Sequence, residues 1–205
     1  MRLVLDVENT TTKRDDKLHM DPFEADNYLV QVGYLDADDP EATLTIKTLD
    51  HNESKDDTGF QRLDIQWTLD NTKLLIMHNA QHDLMWLWEC GFRYDGDIYD
   101  TMLGEYILDR GQRRGLSLEA CAERRQLTFK KQDTLKKYFK EGKNTNEIPY
   151  EELCDYLRHD LLTTSELFHA QQRDFLLPEA STLSTIKRVT FNTCKTLTEI
   201  YMAGF

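Results

Sequence analysis

Residues 2–8 read Arg-Leu-Val-Leu-Asp-Val-Glu, an apolar run that ends in two acids separated by one valine. Arg2 to Asp6 predicts a short buried strand. Residues two apart on a strand face the same side, so Asp6 and Glu8 project together from its end. Like charges held side by side raise each other's free energy unless a cation lies between them. Acids at strand ends are common, so the pair decides little alone. Its meaning depends on acids elsewhere in the chain.

Tyr28 to Tyr34 (YLVQVGY) and Thr43 to Leu49 (TLTIKTL) alternate or are β-branched, and predict two further strands in a hairpin. Between the first strand and this pair, Asn9 to Asp26 is polar, contains Pro22 and reads as a long irregular surface loop, the kind that often carries function. Asp50 to Gly59 is a charged loop and Phe60 to Leu69 a short helix. Lys73 to Met77 (KLLIM) predicts a buried strand, and Asp97 to Asp100 a last short strand before a helix from Thr101 to Leu108. The remainder is helical, in segments near 117–126, 133–141, 150–176 and 180–203. Strands early, helices late and β–α alternation between them predict one α/β domain, a mixed sheet flanked by helices.

At 205 residues the chain is long enough for one domain with a real core. No window holds the roughly 18 apolar residues that cross a bilayer, and the start shows no signal-peptide core. The expectation is a soluble protein of the cytoplasm with no membrane partner. Cys90, Cys121, Cys154 and Cys194 lie far apart with no CxxC pair, which favours reduced thiols over zinc ligands. Net charge is −12, the wrong sign for holding nucleic acid by bulk electrostatics. Between Arg110 and Lys143, however, 11 basic residues stand against four acids. A solvated helix face explains such a run; so does a flank that guides a polyanion while acids gather metals elsewhere.

Two more acids stand in suggestive settings. In Leu74 to Asp83 (LLIMHNAQHD) a buried strand turns into a helix whose first turn carries Asp83, where the helix dipole favours an anion. Asn79 has the look of an N-cap. Later, Tyr156 and Asp160 in YLRHD are four apart, hence stacked on one helix face, beside an apolar stripe of Leu153, Leu157, Leu161, Thr164 and Phe168. Each feature alone has an ordinary explanation.

Taken in order, a DxE on the first strand, an NxxxD at a strand-to-helix turn and a YxxxD on a late helix resemble the DnaQ-like exonucleases, in particular their four-acid-plus-tyrosine (DEDDy) branch. The sister branch has a His five residues before the last Asp; here that place is Asp155, and His159 lies about 100° round the helix from Asp160. The segments VLDVENTTT, MDPFEADNYLVQVGY, IMHNAQHDL, IYDTMLGEYIL and GLSLEACAERR look like the proofreading domain of bacteriophage-type family A DNA polymerases. TLTEIYMAGF is similar to the stretch leading from such a domain into the polymerase thumb, and no palm motif comes after it. Two residues depart from the pattern: Asn9 stands where Thr commonly follows the Glu, and His82 where an aromatic commonly precedes the Asp.

The resemblance implies an RNase H-like fold with a mixed five-stranded sheet, an exonuclease domain over 1–178 and a connecting helix over 179–205. It implies 3′→5′ removal of deoxynucleoside 5′-monophosphates from single-stranded or frayed DNA ends, with a DNA polymerase as partner in the same longer chain or as a separate subunit. The cytoplasm would be that of the host if the source is a bacteriophage. Two divalent cations, Mg2+ with Mn2+ able to substitute, are implied as cofactors. Asp6 would bridge both, Glu8 and Asp160 would complete one site, and Asp83 would hold the second ion. Tyr156 would orient the attacking water. Asn79, Arg113, Arg114, Lys130 and Lys131 are candidates for substrate contact. An RNase D-like RNA exonuclease shares the same five residues, and a non-catalytic nucleic-acid-binding domain would keep the fold alone. Asp100 reads as a helix cap, Trp86 and Trp88 as core, Asp95 and Asp97 as turn residues. His51, His78 and His169 have no partners at ligand spacing, and Lys13 and Arg14 belong to an exposed loop.

Overall fold

The computed structural model describes residues 1–14, 17–55, 57–128 and 135–204. Five strands form one sheet: β1 (Arg2–Asn9), β4 (Leu29–Asp36), β5 (Thr45–Thr48), β6 (Leu74–Met77) and β7 (Asp97–Asp100), in the order β5-β4-β1-β6-β7. β4 runs antiparallel to β1, and β5 antiparallel to β4; β6 and β7 run parallel to β1 and β6 respectively. The parallel pairs need crossovers, supplied by α2 (Thr58–Asp70) and α3 (Ala80–Glu89), whereas the antiparallel strands need none: a long excursion over residues 10–28 joins β1 to β4, and a shorter one over 37–44 joins β4 to β5. The expected mixed sheet is thus present, with β1 in its centre.

The long helix α7 (Tyr150–Phe175) lies across β1, β4 and β6. Its stripe of Leu153, Leu157, Leu161, Thr164 and Phe168 is buried throughout. Residues paired across antiparallel strands share a face, so Gly33, opposite Asp6, is on the same side as that carboxylate. A Cβ on Gly33 would meet Leu161 at 2.7 Å and Leu157 at 2.8 Å. Glycine there lets α7 settle onto the sheet beside the acids of β1. On the opposite face Tyr34 hydrogen-bonds Asp64 of α2 at 3.0 Å. The helix α8 (Leu183–Met202) packs on α3, β7 and α4 (Thr101–Leu108), with Phe191 buried in the main core.

Several expectations are corrected in detail. The stretch 9–26 is irregular only in part: it carries a small hairpin of β2 (Thr12–Arg14) and β3 (Lys17–His19), and turns and bends follow from 21 to 26. Such short polar strands have no apolar face to leave a period-two pattern. Pro40 opens a single helical turn, α1 (Pro40–Thr43), which shortens the strand expected over 43–49. The helix at 117–126 is α5 (Leu118–Arg125), and that at 133–141 is described as α6 (Lys136–Lys140). Lys130 and Lys131 lie outside the described residues.

The basic stretch is also less free than its count implies. Arg124 and Arg125 turn inward and share the buried Glu105, at 3.0 and 2.7 Å, while Arg125 also reaches Asp174 at 2.7 Å. Lys137 pairs with Glu152 at 2.9 Å. All four cysteines are free thiols. Among the described residues no helix is long and apolar enough to cross a membrane.

Candidate active site

β1 presents Asp6 and Glu8 on the face covered by α7, and α7 brings Asp160 to them. Ligand oxygens of these three acids all lie within 4.8 Å of one another. Asp6 Oδ1 accepts the Val7 N–H at 3.0 Å, which fixes its orientation at the strand end. Tyr156, one turn before Asp160, hydrogen-bonds it. Burial first, then the charges of Asp160, Glu8 and Asp6, hold the phenol far above its usual range. At neutral pH it is therefore a protonated donor.

The fourth acid arrives from the strand-to-helix turn. Asn79 occupies the N-cap position of α3 in the left-handed conformation, φ 70°, with no side-chain cap bond. Its reading as an ordinary N-cap is corrected: the cap is Asp100. Asp100 accepts the N–H groups of Asn79 (3.2 Å) and Ala80 (2.9 Å) at the start of α3, and those of Met102 (2.8 Å) and Leu103 (3.2 Å) at the start of α4. Only the second of these roles was expected. One buried carboxylate thus satisfies orphan donors of two helices. It fixes the first turn of α3, which carries Asp83.

Asp83 is 2% exposed. Loss of water, then the neighbouring charges of Asp6 and Asp100, raise its carboxyl well above the ordinary carboxylate range. Its Oδ1 is buried and has no hydrogen-bond partner among the described residues. An orphaned carboxylate oxygen beside like charges is costly. The set as a whole offers oxygen ligands alone, the preference of hard divalent cations such as Mg2+ and Mn2+. The residues present therefore fit such ions, with Asp6, Glu8 and Asp160 as one group and Asp83 beside Asp6 as the other.

Of the expected substrate-contact residues, Asn79, Arg113 and Arg114 fall within the described residues. Asn79 is exposed, and its side chain makes no cap. Arg113 and Arg114 are exposed on a loop fastened to the end of β6, where His78 bonds the Leu116 carbonyl at 2.9 Å; Arg114 pairs with Asp109 at 3.4 Å. His159 bonds the Asp155 carbonyl of its own helix at 2.6 Å, and Asp155 pairs with Arg158. Trp86 is core, as expected.

Sequence reading missed two features. Asn9 and His82, each noted only as a departure from the pattern, are hydrogen-bonded to one another at 2.9 Å. His19, Asp21 and Glu24 form a second ligand-spaced group, although Arg14 already pairs with Glu24 at 2.8 Å. Only their i, i+2, i+5 spacing hinted at the latter.

A mixed sheet in this order, with acids gathered at the end of its central strand, defines an RNase H-like α/β protein of nuclease type. The chain belongs to the 3'-5' exonuclease family, whose match spans residues 35–175. That span includes Asp83, Tyr156 and Asp160 and begins after Asp6 and Glu8. Among solved structures, the apo form of a nuclease superimposes with a TM-score of 0.71 at 11% identity, covering 99% of this chain and 85% of that one. Brucella melitensis NrnC bound to pGG superimposes with a TM-score of 0.68 at 15% identity, over 99% of this chain and 85% of that one. The same protein with bound Mg2+ gives 0.65 at 16%, over 99% and 86%. No curated protein matches the chain.

Proposed function

We propose that this exonuclease removes nucleoside 5′-monophosphates one at a time from single-stranded or frayed DNA 3′ ends, as proofreading during replication requires. The observation that carries the reading is the gathering of Asp6, Glu8 and Asp160 within 4.8 Å, with buried Asp83 beside Asp6. Asp6, Glu8 and Asp160 would hold one divalent cation, and Asp6 with Asp83 a second. When bound, such a pair of ions supplies an activated water and takes up charge on the phosphate and the departing 3′ oxygen.

The chain's own groups then have distinct tasks. Tyr156, kept protonated, donates a hydrogen bond that orients the nucleophile and is no base. Asn79, exposed at the turn before Asp83, contacts the terminal nucleotide. Arg113 and Arg114, with Lys130 and Lys131, guide the single strand toward the acids; a paired end must fray first, which is easier beside a mismatch. The binding of pGG and of Mg2+ by NrnC supports a short 3′ end and magnesium in this fold. The polymerase-like segments of the sequence support a DNA polymerase as partner, with residues 179–205 as the connection to it, and action in the cytoplasm.

The test is 3′-end digestion of 5′-labelled single-stranded deoxy- and ribo-oligonucleotides with Mg2+, by the wild type and by Asp6→Ala/Glu8→Ala. Expected is stepwise shortening of the deoxyoligonucleotide, lost by at least about a hundredfold in the variant as metals are displaced. Preference for the ribo-oligonucleotide would replace the proofreading reading with RNA trimming. Inertness toward both would leave a nucleic-acid-binding domain.

A further inference from the structure

Glu8 and Asp83 belong to different elements, yet their chain neighbours touch: His82 Nε2 lies 2.9 Å from Asn9 Oδ1. The other end of the Asn9 amide fixes its orientation, because Nδ2 donates to the Thr10 carbonyl at 2.7 Å and the Met20 carbonyl at 3.4 Å. Its oxygen is left to accept, so the imidazole carries a proton on Nε2. Asn9 is buried and His82 half-buried, which makes the contact a well-defined one.

The pair is the centre of a junction. Trp86 Nε1, one turn along α3 from His82, donates to the same Met20 carbonyl at 3.1 Å. Thr11 is clamped in both directions by the Asn144 side chain, at 2.9 and 2.8 Å. Asn27 crosses the stretch from within, donating to the carbonyls of His19 and Asp21. The junction lies where the register of β1 with β4 slips, between Glu8 and Asn9. At such an irregularity the strand ladder alone does not fix where the strand end points.

We propose that Asn9 and His82 are a positioning pair: their hydrogen bond sets the span between the Glu8 and Asp83 carboxylates and holds the 10–27 segment against α3 beside them. The two departures from the family pattern are then one feature, a polar bridge shared between two elements. Neither residue touches the reacting atoms, and no proton moves between them. The inference rests on the nuclease reading of the four acids, and its test separates the two.

Asn9→Ala, His82→Phe, their double variant and His82→Gln, whose amide can still donate to Asn9, are compared in the full chain after circular dichroism confirms folding. The first measurement needs no activity: the rate of tryptic cleavage after Lys13, Arg14 and Lys17 in the native protein. The second is kcat and KM on a single-stranded deoxyoligonucleotide with Mg2+. Each of the first two single variants is expected to raise cleavage and lower kcat by about tenfold, the scale of one buried hydrogen bond. The double variant should be no worse than either single one, and His82→Gln should recover most of both. Additive effects in the double variant overturn the proposal, as does unchanged kcat in a loosened but folded protein, the result of a merely structural bond. If the wild type digests nothing, the nuclease reading fails, and the tryptic rates still decide whether the pair holds the segment.

Discussion

Gly33 and Leu161 approach so closely that a Cβ on the glycine would lie 2.7 Å from Leu161 Cδ1. Gly33 is paired with Asp6, and Leu161 follows Asp160. The contact therefore sets how near α7 brings its acid to that of the strand. Gly33→Ala should lower stability by about 1–3 kcal/mol through overpacking. Urea unfolding measures that. Exonuclease activity of the folded fraction should fall as well, since the shift displaces Tyr156 and Asp160 together. A variant of wild-type stability and activity would show that α7 is free to adjust.

Asn79 separates backbone from side chain. Its φ of 70° suits Asn or Gly, whereas a plain L side chain in that region costs about 1–2 kcal/mol. Asn79→Gly should retain stability, and Asn79→Ala should lose about that amount. If the side chain meets the terminal nucleotide, both should raise KM alike. A KM that follows stability instead would assign Asn79 to folding alone.

Glu105 is 2% exposed and accepts from Arg124, Arg125 and Gln171. Removing one member of a buried charge network strands the others. Glu105→Ala should cost about 3–5 kcal/mol, and chemical denaturation with Glu105→Gln alongside measures it. The amide keeps the shape and part of the bonding, so it should fall between. Loss below about 1 kcal/mol would mean that the arginines rehydrate freely.

Alkaline pH should weaken the fold. Burial pushes the Cys121 thiol up to about 11 and, as the largest cause, the Tyr34 phenol up to about 12. Both groups hold their protons longer folded than unfolded. The unfolded chain thus ionises first, and the stability they add, complete below about pH 9, is lost as pH rises through 11 and 12. Urea midpoints across that range should decline, and Cys121→Ala should flatten the first part of the decline. A level profile would contradict the buried setting of both groups.

Much of the sheet was legible because its strands are apolar runs, and α7 because its stripe repeats at helical spacing. Asp6, Glu8, Asp83, Tyr156 and Asp160 each had an ordinary local explanation and stood out only as an ordered series resembling the DnaQ-like exonucleases. The structure gathers three of them within 4.8 Å and sets Asp83 beside Asp6. What stayed hidden depends on meetings across the fold. The hairpin of β2 and β3 has no apolar face. Asp100 caps α3 from 21 positions away in the chain. Arg124 and Arg125 count as basic in a tally but are spent on Glu105. The bond between Asn9 and His82 joins residues 73 positions apart, and no local pattern announces it.

Asp100 holds the first turns of α3 and α4 with a single side chain. Neither helix can fray at its start without releasing the same carboxylate. In hydrogen exchange the amides of Ala80 and Met102 should thus open as one unit, so the segment bearing Asp83 inherits the resistance to local melting of a helix that carries none of the four site carboxylates.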